Sequence, residues 1–164
     1  MDLSSIFNLN SLDWTESLFR MLLAIFFGFL IGIDRYTKNK PIEFRAYMIV
    51  SLTTCIVAIM GQELYANYSN AENVLSLDLS KIIAGTLTGL GFLGAGAIIK
   101  IEDKQIIGSA TGASIWASGI IGLAIGFGFY GLAFFALVSV MLILVVGGLS
   151  MKYFEGKTDK ETLN

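Results

Sequence analysis

Lys81–Lys100 reads KIIAGTLTGLGFLGAGAIIK: an uncharged apolar run closed by a lysine at each end, with glycines at 85, 89, 91, 94 and 96. At 1.5 Å of rise per residue, about 20 such residues cross the roughly 30 Å hydrocarbon core of a bilayer. Each glycine costs about 1 kcal/mol against alanine in a helix. Five of them therefore call for close helix packing, a kinked or unwound helix, or a bound group.

Composition agrees with a membrane chain. Mean hydropathy is +0.72, and 55% of the 164 residues are hydrophobic, above the usual share for soluble domains. Four further runs of similar character give five expected spans: 18–33, 46–65, 82–99, 106–127 and 132–151. The expected fold is an all-α membrane protein, a bundle of five transmembrane helices whose glycine-rich third span serves as a packing seam or, alternatively, is kinked or unwound. Residues 1–151 form the transmembrane domain, opening with a short segment that lies on the membrane surface, and 152–164 form a short cytoplasmic tail.

Arg20, inside the first span, follows Glu16 by one helical turn and is expected to snorkel toward the interface near Trp14. Asp13 and Glu16 resemble a capping pattern, placing the helix start near Trp14. Nine of the eleven basic residues fall on one side (Arg35, Lys38, Lys40, Arg45, Lys100, Lys104, Lys152, Lys157 and Lys160), leaving Arg20 and Lys81 opposite. The positive-inside rule then sets the N-terminus outside and the C-terminus in the cytoplasm of a bacterial inner membrane. A net charge of −2 supplies no basic field for nucleic acid.

Small residues recur at helical spacing in two other spans: Ala24, Gly28 and Gly32, and then Ala110, Ser114, Ser118, Gly122 and Gly126. These stripes read as packing seams. With the glycine-rich third span there are three seams in five helices, so one is expected to serve a second copy. A homodimer through the stripe ending at Gly126 is the expectation. Gly89-x-Gly91-x-x-Gly94 matches a dinucleotide fingerprint, but that motif needs a preceding strand and a soluble helix, and here it lies within a membrane-length run.

Several ordered blocks resemble the MgtC/SapB family of bacterial inner-membrane proteins. The core GLGFLGAG, preceded by Asp78-x-x-Lys81, is similar to the family's Asp-x-x-Arg and glycine-rich span. Gly28, Gly32 and Asp34-Arg35 resemble its first-helix motif, Arg45 stands where the family has Gly-Leu-Arg-Thr, and Gly108, Thr111, Ala113, Trp116 and Gly122 resemble its fourth-span pattern. Departures are Asp for Glu at 34, Lys for Arg at 81, and Glu43-Phe before Arg45. The resemblance implies adaptation to low magnesium or acid stress, by modulation of other membrane proteins. A channel or transporter for Mg²⁺, another ion or a small solute is the alternative, with Gly89, Gly91, Gly94 and Gly96 as a backbone-lined site.

No catalytic set, cofactor site or metal site is expected. Histidine is absent and the single Cys55 has no charged neighbour in sequence, so no nucleophile-base pair assembles. The sharpest site expectation joins Asp34, Arg35 and Arg45 at the cytoplasmic surface. One net positive charge there would hold the end of the third span, or bind an anionic lipid or a partner's carboxylate.

Overall fold

The computed structural model describes residues 12–38, 43–68, 78–100 and 106–161. The surface segment expected at the N-terminus lies almost wholly outside them. Asp13 occupies the N-cap position of the first helix, α1 (Trp14–Thr37), as its sequence suggests, but its side chain makes no capping hydrogen bond. The second helix, α2, spans Phe44–Tyr68. Its first ring, Phe44, meets Phe29 and Tyr36 of α1 edge-on.

The glycine-rich run forms α3 (Leu79–Gly96), starting three residues earlier than expected and continuing without interruption. It is not unwound. In lipid every amide and carbonyl needs an internal partner, so an unbroken ladder offsets the low helix propensity of glycine. Asp78 caps it, accepting hydrogen bonds from the amide and hydroxyl of Ser80. Those bonds hold the exposed Asp78 carboxyl below its ordinary pKa. The cap is therefore complete above the usual carboxylate range and is lost as pH falls through the lowered value.

Between α3 and the next helix the chain forms a two-stranded antiparallel ribbon, β1 (Ile99–Lys100) and β2 (Ile106–Ile107), pairing Ile99 with Ile107. The sequence places Ile106 and Ile107 in the fourth span. Gly108 breaks that reading: at φ +91° it turns the chain into α4 (Ser109–Gly126). A Cβ at Gly108 would lie 2.0 Å from the Ala97 carbonyl. The last helix, α5 (Tyr130–Glu161), continues ten residues past the 151 boundary, so the stretch assigned to a tail begins as helix.

Five helices, Trp14–Thr37, Phe44–Asn67, Leu79–Gly96, Ser109–Gly126 and Tyr130–Ser150, are long and apolar enough to cross a membrane. The protein is a multi-pass membrane protein. Within the bundle α4 is the central pillar, 61% buried along its span against 11% for α3 and α5. It packs on α2, α1, α3 and α5, and α1 and α2 also pack on each other.

Both small-residue stripes are consumed inside this core. A Cβ on Gly28 or Gly32 would sit 2.7 Å from the Tyr47 or Phe44 carbonyl of α2. On α4, a Cβ at Gly122 would sit 2.1 Å from the Ser51 carbonyl and one at Gly126 2.4 Å from that of Cys55. Ser118 Oγ donates to the Tyr47 carbonyl at 2.9 Å. The stripe assigned to a second copy is thus the α2–α4 seam of one chain.

Candidate functional site

Arginine, an expensive residue to bury in a membrane, lies at both ends of the bundle. At one end Arg20 is 8% exposed, so it does not snorkel. Its Nε donates to Glu16 Oε1 and to the Tyr130 hydroxyl oxygen, both at 2.9 Å. Its Nη1 donates to Gln62 Oε1 at 3.0 Å and to the Gly126 carbonyl at 2.7 Å. Gln62 Nε2 in turn donates to the Phe127 carbonyl, and the Tyr130 hydroxyl donates to Glu16. The last carbonyls of α4 point away from its own ladder, and a guanidinium with a side-chain amide satisfies them. Burial is tolerated because the charge is matched.

At the other end Arg35, in the last turn of α1, is 4% exposed. Its Nη2 donates to Thr111 Oγ1 of α4 at 3.0 Å. The buried hydroxyl of Tyr47 on α2 lies beside the same guanidinium, within its hydrogen-bonding reach, while the buried Ser51 hydroxyl finds no partner. Asp34 turns instead to Lys38, which lies 2.7 Å from its Oδ1 and also donates to the Leu144 carbonyl of α5. Arg45 is exposed and pairs with Glu43, its Nε 2.9 Å from Oε2.

The expected trio therefore separates. Asp34 and Arg35 are consecutive on a helix and point about 100° apart, so one faces Lys38 and the other the core. Arg45, at the second position of α2, has a carboxylate two residues away and open water. Arg35 and Thr111 are brought together, although the sequence sets them 76 positions apart. Trp116 is 41% exposed on α4. Asp78 is a helix cap and Lys81 is exposed in the turn that follows it.

On α3 only Gly94 packs, a Cβ there falling 3.2 Å from the Gly112 carbonyl of α4. At Gly85, Gly89, Gly91 and Gly96 an added Cβ would meet nothing within 4 Å. Gly85, Gly89 and Gly96, spaced i, i+4 and i+11, share one outward face.

Tyr47, Gln62 and Tyr130 were not singled out by the sequence. Their only signal is polarity inside apolar runs, which gives neither depth nor direction.

The motif order of the chain now has an independent counterpart: the MgtC family model matches residues 21–151. The chain belongs to the MgtC family. It is 30% identical to the protein SapB of Bacillus subtilis, over 77% of this chain and 54% of SapB. It is 32% identical to YhiD of Escherichia coli K12, whose name proposes magnesium transport, over 80% of this chain and 60% of YhiD. The MgtC protein of Brucella abortus strain 2308 is 31% identical over 77% of this chain and 48% of its own length. The chain thus spans about half the length of these relatives. No solved structure matches it.

Proposed function

We propose that this MgtC-family chain is a non-catalytic modulator that acts through helix contact with another protein in the membrane, in adaptation to low magnesium or acid stress. The observation that carries the reading is the unpartnered glycine face of α3. Every other small-residue seam is filled by a helix of the same chain, and glycines that touch nothing cost helix stability without return. A helix docked against Gly85, Gly89 and Gly96 would supply that return. The homodimer expected from the sequence would use this same face, since the α4 stripe is occupied.

Transport of Mg²⁺, which the name of YhiD raises, finds less support. The ion seeks octahedral oxygen ligands and gives up water reluctantly. Among the described residues, the buried polar clusters at the two ends of the bundle are built around Arg20 and Arg35, which repel a divalent cation.

The double substitution Gly85→Leu with Gly89→Leu is expected to leave expression and folding unchanged and to abolish rescue of growth in magnesium-poor medium. Full rescue by this variant would overturn the reading. Substituting Gly89→Cys in a Cys55→Ser background would crosslink two copies of this chain if the partner is a second copy, and a different membrane protein otherwise. Mg²⁺ influx into liposomes holding only this protein would decide for transport.

We place the N-terminus outside and the C-terminus in the cytoplasm of the bacterial inner membrane, on the distribution of basic residues. A periplasm-active reporter fused at Asn164 is expected to be silent, and one fused at Asn70 active. The reverse pattern would invert the topology.

A further inference from the structure

α3 lies at the edge of the bundle, 11% buried along its span. It meets α2 near its own start, where a Cβ on Gly61 would sit 3.3 Å from Ile82 and 3.4 Å from Leu79. Toward the other end of α3 an apolar groove of about 330 Å³ opens between these two helices. Ala46 and Val50 of α2 line one side and Phe92 and Gly96 of α3 the other. The buried Ala97 and, on α4, the buried Ile115 complete the lining. Phe92 is 80% exposed, so the groove opens outward from the bundle.

Its walls belong to helices that cross the bilayer, so hydrocarbon rather than water surrounds the opening. No lining residue brings a polar side chain, and water in such a groove would lack the two to four polar partners it needs. At about 30 Å³ for each group the size of a water or a methylene, the groove holds about eleven such groups. That exceeds any single apolar side chain and suits a continuous, flexible acyl chain.

The groove ends among cations. Arg45 directly precedes Ala46, Lys100 of β1 follows Ala97 by three residues, and both are exposed. Ile98 and Ile99, between Ala97 and Lys100, are 47% and 50% exposed, so apolar surface continues from the groove to the lysine. Glu43 engages Nε and Nη2 of Arg45, which leaves Nη1 to donate, and an ion pair this exposed is readily shared. Among the described residues of this rim, Arg45 and Lys100 against Glu43 leave one excess positive charge. We propose that the groove between α2 and α3 binds one anionic phospholipid, with an acyl chain between Val50 and Phe92 over Ile115 and the phosphate at Arg45 and Lys100. The chain supplies the apolar contact, and the rim charge selects the headgroup. This site does not depend on the helix-docking reading, because Gly85 and Gly89 are not among the groove's lining residues.

The test is native mass spectrometry of the full chain in neutral detergent, titrated with dioleoylphosphatidylglycerol or dioleoylphosphatidylcholine, two probes with the same acyl chains. The wild type is expected to retain one lipid and to prefer phosphatidylglycerol about fivefold, the selectivity of one uncompensated cation near a headgroup. Gly96→Leu places a side chain where an added Cβ meets nothing within 4 Å, so it is expected to fold and to lose retention of both lipids. Arg45→Gln with Lys100→Gln changes only the exposed rim. That variant is expected to keep one lipid and to lose the preference, and it decides the headgroup assignment however Gly96→Leu folds. Gly85→Leu with Gly89→Leu should bind both probes as wild type does. The proposal is overturned by a wild type that retains no lipid or shows no preference, by a folded Gly96→Leu protein that binds as wild type does, or by a rim variant that keeps the fivefold preference. A lipid-free dimer of the wild type would overturn it as well, since a second copy would then fill the groove.

Discussion

Replacing Gly122 by leucine is expected to abolish the folded bundle, whereas Gly89→Leu leaves it intact. The two glycines are chemically alike and both lie within apolar runs. Their surroundings differ: a Cβ at Gly122 would fall 2.1 Å from the Ser51 carbonyl and 2.5 Å from Thr54 Oγ1, but one at Gly89 meets nothing within 4 Å. Ser51 is backbone in the facing helix, so relief requires α2 and α4 to separate. That also strains the neighbouring contact of Gly126 with Cys55 and Ala58 and the Ser118 bond to Tyr47. Overpacking of a core costs about 1–3 kcal/mol where side chains can adjust, and a backbone clash on this scale exceeds it. Gly122→Leu should fail to yield a monodisperse species in mild detergent. Gly89→Leu should remain monodisperse and melt as wild type does, or slightly better from its gain in helix propensity. Equal behaviour of the two variants would contradict the α2–α4 crossing.

This contrast marks how far the sequence could be read. The number and order of the spans followed from hydropathy, because a bilayer admits few other solutions for runs of such length. Glycine spacing identified stripes able to pack but not what packs on them: Gly122 and Gly89 belong to similar patterns, and only the fold decides which faces α2 and which faces outward. Boundaries were missed for local reasons. Ile106 and Ile107 are as apolar as a helix interior, yet the positive φ at Gly108 starts the helix after them. The arginines were legible as charges in the wrong medium, not as members of clusters. In the sequence Arg45 and Arg35 are equivalent, one at each side of the same loop. One met Glu43 in water and the other met Thr111 in the core, a difference set by helix phase rather than by residue type.

Arg20→Ala is expected to destabilise the bundle by about 3 kcal/mol or more, the usual cost of breaking a buried charged network from one side. The reasoning rests on what would be left behind. Arg20 is 8% exposed and binds four groups from four helices: Glu16 of its own α1, Gln62 of α2, the Gly126 carbonyl of α4 and Tyr130 of α5. Without it the Gly126 carbonyl loses its guanidinium donor, while Gln62 stays on the Phe127 carbonyl and the amides of Gly128 and Phe129 on those of Ile125 and Ala124, and Glu16 retains Tyr130 with no cation beside it. A buried carbonyl without a donor costs about 1–3 kcal/mol by itself. Lysine at position 20 should restore the charge but not the fork that reaches two elements at once, so Arg20→Lys is expected to fall between alanine and wild type. Arg45→Ala is the matching control, because that side chain is exposed and its pairing with Glu43 is of the surface kind that contributes about 0–1 kcal/mol. Thermal unfolding in neutral detergent should rank the proteins as wild type and Arg45→Ala together, then Arg20→Lys, then Arg20→Ala. An Arg20→Ala protein as stable as Arg45→Ala would mean that the guanidinium is solvated at the membrane surface, as its place in the sequence first implies, and that the clasp between α1, α2, α4 and α5 does not hold this end of the bundle.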